Sequence, residues 1–329
     1  MSEVPHREGF LLNKKEEDKY HTFHITDLLP IPENGLLASA GLDYKICLWH
    51  LDTLKPKTVL RGHSRGVHTL DWYPDLHFIL SAGYDHDVHI WNPLVNRSVF
   101  TLQGHNHSLV GVKWMPGTDQ VISADISGTI KIWDVRTFMP LQTLNCNLNE
   151  INCLAVTQNP KRIIVGGKTL VFYDYEEPKD YHLADDVSCI AVLYNKVFYT
   201  FITAHPKCIK IWDAESGCLK SVYKDISSRE ITAICMDDRG RKLFVGDQRG
   251  RVYCLNVRNG IVKKRFKKPR ESSHYDREKC DISSLCYWGE TPGVDAPPKN
   301  LLITASWDKS MCLYDDNDVD DREGTLRDK

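Results

Sequence analysis

Two sets of residues in this chain have the types a nucleophilic hydrolase uses. His63, Ser81 and Asp85 form one, and His21, Ser39 and Asp43 form the other. In a hydrolytic triad the imidazole takes the serine proton, and the carboxylate orients the imidazole. Such machinery is built once, at one cleft. Here the second set is the first displaced by 42 residues, and His105 with Ser123 repeats the step again, with Ser127 where the aspartate belongs. Trp49, Trp91 and Trp133 keep the same 42-residue spacing. Recurrence assigns these residues to a structural repeat. No other catalytic constellation is present, so no catalytic residue, no cofactor and no enzyme activity are expected.

The elements that position them follow from the repeat itself. Residues 62–92 read GHSRGVHTLDWYPDLHFILSAGYDHDVHIWN, and residues 104–134 read GHNHSLVGVKWMPGTDQVISADISGTIKIWD. A period of about 40 to 45 residues that opens on Gly-His and closes on a tryptophan marks a four-stranded propeller blade. This resembles the WD40 repeat family over almost the whole chain. The resemblance implies an all-β fold, a single seven-bladed WD40 β-propeller, and a binding platform rather than a named partner. It also implies that the trios above are buried relays of histidine, serine or threonine, aspartate and tryptophan. Residue by residue these are His21, Ser39, Asp43 and Trp49 in blade 1, His63, Ser81, Asp85 and Trp91 in blade 2, and His105, Ser123 and Trp133 in blade 3. Blade 7 keeps Thr304 and Asp308, with His274 as a candidate partner, and blades 4 to 6 lack the full set. Buried polar groups need partners, so blades 1 to 3 are expected to be stiff and blades 4 to 6 softer.

Tyr173, Trp212, Leu255 and Tyr314 occupy the tryptophan place in blades 4 to 7. The propeller is expected over residues 16–315, with enlarged loops at Lys267–Asp281 and in GETPGVDAPPKN. A ring of blades must close, and an open sheet edge is a liability. Two segments compete for the outer strand of blade 7: apolar GFLLN at 9–13, which is favoured, and charged REGTLRDK at the C-terminus. Residues 1–15 then close blade 7, and 316–329 form an acidic tail or linker. DDNDVDD superficially resembles a calcium loop, but Asp321 stands where the sharp turn requires glycine.

The family binds partners on the face that carries the entry to each inner strand and the turn between the two middle strands. The residue before the turn aspartate is Leu42, Tyr84, Ile126 and Trp307 in blades 1, 2, 3 and 7. All four are apolar where water is expected, and consecutive blades make one patch of them. The residue before the inner strand is Glu150, Asp186, Glu230 and Asp281 in blades 4 to 7, against His24, Gly66 and Ser108 in blades 1 to 3. One side of the ring is therefore expected to be apolar and the other acidic, which suits a protein partner with an apolar anchor and a nearby Arg or Lys. A basic run, Lys263, Lys264, Arg265, Lys267, Lys268 and Arg270, surrounds Phe266; lysine on an edge strand discourages aggregation, and contact with an acidic surface is the alternative.

The net charge of −2 provides no field toward nucleic acid or membrane. No apolar run is long enough to span a bilayer, and the N-terminus lacks a signal-peptide core. Eleven cysteines without a CxxC pair read as reduced, buried thiols in a cytoplasmic protein, and no clustered ligands suggest a metal. Residues 79–105, ILSAGYDHDVHIWNPLVNRSVFTLQGH, are similar to tandem-propeller WD-repeat proteins of ciliated organisms, some with EF-hands. That implies a scaffold in a cilium, flagellum or other cytoskeletal assembly, although a second propeller and a usable EF-hand are not found here. The alternative is a substrate receptor of a cullin-type ubiquitin ligase, because Trp133, Asp134, Val135 and Arg136 spell a WDxR box.

Overall fold

A computed structural model describes residues 20–51, 55–146, 150–175, 180–183, 188–266, 281–289 and 300–316. These residues form seven antiparallel sheets, six of four strands and one, the last, of three described strands. A single 3-10 turn at Pro32–Asn34 is the one helical element among them. No helix among the described residues is long and apolar enough to cross a membrane. Within each sheet the strands run in chain order from an inner to an outer strand. The inner strands start at Ile25, Val67, Leu109, Ile151, Ala191, Ile231 and Ile282; each packs on the next, and the last packs on the first. The architecture is a closed seven-bladed β-propeller, as the repeat period implies.

The strand patterns explain the layering. Middle strands such as Leu36–Gly41 (LLASAG) are buried at every position because a neighbouring blade covers each face. Outer strands such as Met139–Asn145 are exposed along nearly their whole length. Seven separate hydrophobic clusters fill the spaces between adjacent blades. The one that closes the ring joins Ile25, Leu37 and Trp49 of blade 1 to Trp288, Ile303 and Met311 of blade 7. Burying such side chains contributes roughly 1.5–3 kcal/mol each, so closure has a large apolar term of its own.

Polar ties stitch the inner strands. Asp27 of blade 1 accepts from the Leu70 amide of blade 2 at 2.9 Å and from Ser284 Oγ of blade 7 at 3.0 Å. Asp71 of blade 2 repeats the device one blade on, accepting from the Trp114 amide at 2.8 Å and Lys113 Nζ at 2.9 Å. A β-bulge recurs in the same place of the inner pair, between Ile25 and Asp27, Val67 and Thr69, Ile151 and Cys153, Ile231 and Ala233, and Ile282 and Ser284. Bulges increase local twist and re-aim side chains, and here they mark the start of the inner strand in those five blades.

Several expectations fall outside the described residues: segments 1–15 and 317–329, His274, Asp186, the loop residues Lys267, Lys268 and Arg270, and GETPGVDAPPKN at 289–300 apart from its two end residues. The ten described cysteines form no disulfide with one another, and eight of them are buried.

Candidate functional site

The recurring trios are hydrogen-bonded relays. In blade 2 the Trp91 indole N–H donates to Ser81 Oγ at 2.7 Å, Ser81 Oγ lies 2.6 Å from His63 Nε2, and His63 Nδ1 lies 2.6 Å from Asp85 Oδ2. Blade 1 repeats this with Trp49, Ser39, His21 and Asp43 at 2.8, 2.7 and 3.0 Å. Burial is the largest single influence on Asp43, Asp85 and Asp125 and works against their ionisation, but the imidazole hydrogen bonds, the amide hydrogen bonds and the attraction of the neighbouring histidine together outweigh it. All three carboxyls sit below the usual range, Asp125 at about 2. An ionised carboxylate can only accept, so each His Nδ1 donates to it and Nε2 receives the serine hydroxyl. Burial pushes the His63 imidazole down, which keeps it neutral. A serine held between a tryptophan and a histidine in a closed interior has no route to a substrate; its bonds are committed to the fold.

Blade 3 corrects the sequence reading. Its relay is complete, because Asp125 rather than residue 127 supplies the carboxylate, 2.9 Å from His105 Nδ1. Ser127 and the Thr129 amide donate to the other oxygen of Asp125. The aspartate thus comes two positions early, from the end of the second strand, and the turn folds over it. His105 Nε2 to Ser123 Oγ is 2.7 Å, and Trp133 Nε1 to Ser123 Oγ is 2.8 Å.

Blades 5 and 6 contain substitutes that spacing did not reveal. In blade 5 the Trp212 indole donates to Thr203 Oγ1 at 3.0 Å, and His205, two residues along the same chain segment, approaches that hydroxyl at 2.9 Å. The imidazole therefore enters from the turn rather than from the inter-blade loop. In blade 6 Asp247 is fully buried and accepts from Ser227 Oγ at 2.8 Å and Tyr253 Oη at 3.3 Å. A His two residues after a strand Thr, and a strand-end Asp facing a Tyr, were the available signals.

The candidate interaction surface lies on the bulge rim. The Leu42, Tyr84, Ile126 and Trp307 amides each donate, at 2.9 Å, to the carbonyl of the residue before the inner strand of their own blade: His24, Gly66, Ser108 and Asp281. The two sets of rim positions chosen from sequence are therefore neighbours in space. Tyr84, Ile126 and Trp307 are 40%, 41% and 50% exposed, while Leu42 is half-buried. The His24 ring of blade 1 stacks on Trp307 of blade 7 at 4.9 Å, and Phe23, itself 50% exposed, meets His24 edge-on at 4.7 Å. Leu42 and Tyr84 press on Gly66 from both sides, at 2.9 and 3.1 Å from where a Cβ would stand. Phe23 is a member of this surface that the sequence does not point to, whereas the sequence marks His24 as the entry position of blade 1.

The opposite arc is polar. Glu150 and Glu230 are exposed there, and Glu230 accepts from Gln248 Nε2 at 2.9 Å; Asp281, beside Trp307 in blade 7, is half-buried. Burial and nearby Asp247 raise the Asp281 carboxyl. Away from the rim, Lys263, Lys264 and Arg265 lie on the outer strand of blade 6, Val262–Phe266, with Lys264 Nζ 4.7 Å from the Phe266 ring centre. Arg136 of the WDxR tetrapeptide is 72% exposed along its side chain and pairs with Asp134 and Asp119 at 3.4 Å. No clustered metal ligands are evident in the sequence, but among the described residues His63, Asp85 and His89 bring their donor atoms within 4.8 Å of one another.

The family model for the WD domain, G-beta repeat, matches residues 54–92 and 96–134. The chain is similar to Cilia- and flagella-associated protein 337 B of Tetrahymena thermophila, with 27% identity over 314 residues, which is 94% of this chain and 24% of that relative. It thus spans about a quarter of the relative's length. It is also similar to coatomer subunit beta' of Rattus norvegicus and of Homo sapiens, 37% identical over 54 residues, covering 16% of this chain and 6% of each relative. With seven sheets closed into a ring, the chain is a seven-bladed β-propeller, and it carries WD40 repeats at residues 54–92 and 96–134.

Proposed function

We propose that this propeller is a non-catalytic scaffold that holds a partner protein on its bulge rim, within a ciliary, axonemal or other cytoskeletal assembly. WD40 propellers are protein-interaction platforms in general, and the assembly is inferred from the similarity to the cilia- and flagella-associated protein of Tetrahymena. The observation that carries the site is the run of aromatic and apolar side chains from Trp307 through His24 and Leu42 to Tyr84, in which Trp307 and Tyr84 are large, half-open and next to other rim residues. Partly exposed aromatic anchors of this kind dominate interface energies. Glu150 and Glu230 on the far arc, and Asp281 beside Trp307, favour a partner that sets Lys or Arg near its apolar anchor. The ligase-receptor reading draws no support from the comparisons, and the Asp134 carboxylate holds the Arg136 guanidinium on its own turn.

The test is co-sedimentation of the chain with isolated axonemes. The wild-type chain should sediment, and Tyr84→Ala/Trp307→Ala should lose sedimentation, each change weakening binding by about 2 kcal/mol. Unchanged sedimentation of the double variant would move the interface elsewhere, with the basic outer strand of blade 6 next. No sedimentation of the wild-type chain would remove the axonemal reading.

A further inference from the structure

The blade 2 relay contains a group that the other relays lack. The position that pairs with the relay serine on the third strand is His89, opposite Ser81. In blade 1 the same position is Cys47, opposite Ser39, and in blade 3 it is Lys131, opposite Ser123. A second imidazole therefore enters the interior of blade 2 alone among the three relays. Its Nε2 stands 3.7 Å from Asp85 Oδ2, the oxygen that His63 Nδ1 also meets at 2.6 Å. The two rings are 4.1 Å apart between centres. The His63, Asp85 and His89 side chains are 1%, 2% and 10% exposed. Asp85 Oδ1 is buried and receives no hydrogen bond.

The outer nitrogens of both rings are already held. His89 Nδ1 lies 3.2 Å from Thr101 Oγ1, and His63 Nε2 lies 2.6 Å from Ser81 Oγ. Metal-binding histidines are oriented in this way, with the non-ligating N–H fixed by a protein oxygen. We propose that His63 Nδ1, His89 Nε2 and the Asp85 carboxylate form a binding site for a zinc-type divalent transition-metal ion. Two imidazoles and one carboxylate leave a fourth position for water, and nitrogen donors disfavour calcium and magnesium.

Proton bookkeeping is simple. In the metal-free relay His63 bears its proton on Nδ1. Metal binding selects the tautomer with the proton on Nε2, where Ser81 Oγ accepts it. Ser81 then turns its own hydrogen toward the carbonyl of the third strand, the direction Ser39 Oγ takes toward Cys47 O at 3.4 Å in blade 1. No net proton is released. Donor atoms around a tetrahedral zinc lie about 3.3 Å apart, so the 2.6 Å contact must open and the 3.7 Å contact must close, each by less than an ångström. Asp85 directly follows Tyr84, so an ion here would brace the turn that presents the rim aromatic.

The test is calorimetric titration of the full chain with Zn²⁺, with thermal melting alongside. His89→Lys, which installs the residue blade 3 carries, should bind one zinc equivalent fewer and lose the zinc-dependent rise in Tm. Thr101→Val leaves all three ligands and should weaken the site about tenfold. The exposed His107→Ala should bind as the wild-type chain does. Equal zinc stoichiometry in wild type and His89→Lys, no saturable binding by wild type, or an equal loss in His107→Ala would each overturn the site. If His89→Lys melts much below wild type without zinc, Thr101→Val decides: affinity unchanged there also overturns it.

Discussion

Blades 2 and 4 share strand order, antiparallel register and the bulge in the inner pair, yet they fill the same three interior places with opposite chemistry. Blade 2 uses Ser81, His89 and Trp91; blade 4 uses Val165, Val171 and Tyr173. In blade 2, hydrogen bonds satisfy every step from Trp91 to Asp85. In blade 4, Val165 and Val171 join an apolar cluster with Ile122, Ile130 and Leu154. Both solutions work because a buried hydroxyl is costly only when it lacks a partner, while a pair of apolar groups of similar size needs none. The relay therefore adds direction rather than bulk stability: it ties the inter-blade loop carrying His63 to the turn carrying Asp85, beside the rim. Blade 5 shows a third solution, in which His205 reaches Thr203 from the turn.

Four outcomes would sharpen or break this comparison. Trp91→Ala should be the most damaging, at roughly 3–5 kcal/mol in chemical denaturation, because it empties a fully buried ring's volume and removes the indole hydrogen bond to Ser81. A loss below about 1 kcal/mol would mean that the ring is not a structural anchor.

Next come the polar members. His63→Ala should cost about 1–3 kcal/mol by taking the imidazole partner from both the Ser81 hydroxyl and the Asp85 carboxylate in a buried site. His205→Ala should cost a comparable amount in blade 5, where sequence alone predicts a soft blade. In blade 4, Val165→Ser should also destabilise by about 1–3 kcal/mol, since it introduces a hydroxyl among apolar neighbours. If Val165→Ser is neutral, blade 4 is less tightly packed than its cluster suggests.

Acid should separate the blades more gently. The His63 and His68 imidazoles are held below their ordinary value, mainly by burial. The unfolded chain then binds those protons first, so stability falls as pH drops below about 6.5. The carboxyls of Asp43, Asp85 and Asp125 are lowered in the fold, so their stabilisation is present above about pH 4 and is lost as pH falls toward their folded values. Melting temperatures across this range should fall in two stages. In His63→Ala the upper stage should shrink; an unchanged upper stage would assign it to other histidines.

The smallest effect is expected at the rim. Tyr84→Ala and Trp307→Ala should each change stability by no more than about 0.5 kcal/mol, because both rings are substantially exposed. A larger loss at Trp307 would show that its stack on His24 helps hold blade 7 to blade 1, making it a closure residue as well as a rim residue.

Much of this was legible in the chain. The 42-residue step of His, Ser, Asp and Trp identified blades 1 and 2 residue by residue, because a relay with fixed covalent spacing leaves a fixed sequence spacing. It failed at blade 3, where Asp125 reaches His105 from two positions earlier, and at blade 5, where the histidine comes from the other side of the serine-like hydroxyl. In both cases the same atoms meet, but by a different path along the backbone, and a spacing rule sees only the path.

The repeat period by itself determined the architecture: strands of this length, with buried middle strands and polar turns, have one economical way to cover both faces of each sheet, and the number of periods sets the number of blades. It also determined which turn and entry residues share a rim, since the bulge and the turn repeat with the blade. Only the tertiary structure decided how blades meet. That Trp307 stacks on His24 across the join of the last blade and the first, that Asp27 binds residues of blades 7 and 2 together, and that His89 turns inward to share Asp85 with His63 all depend on distances between segments far apart in the chain. Such distances are set when packing closes the ring, and no local pattern encodes them.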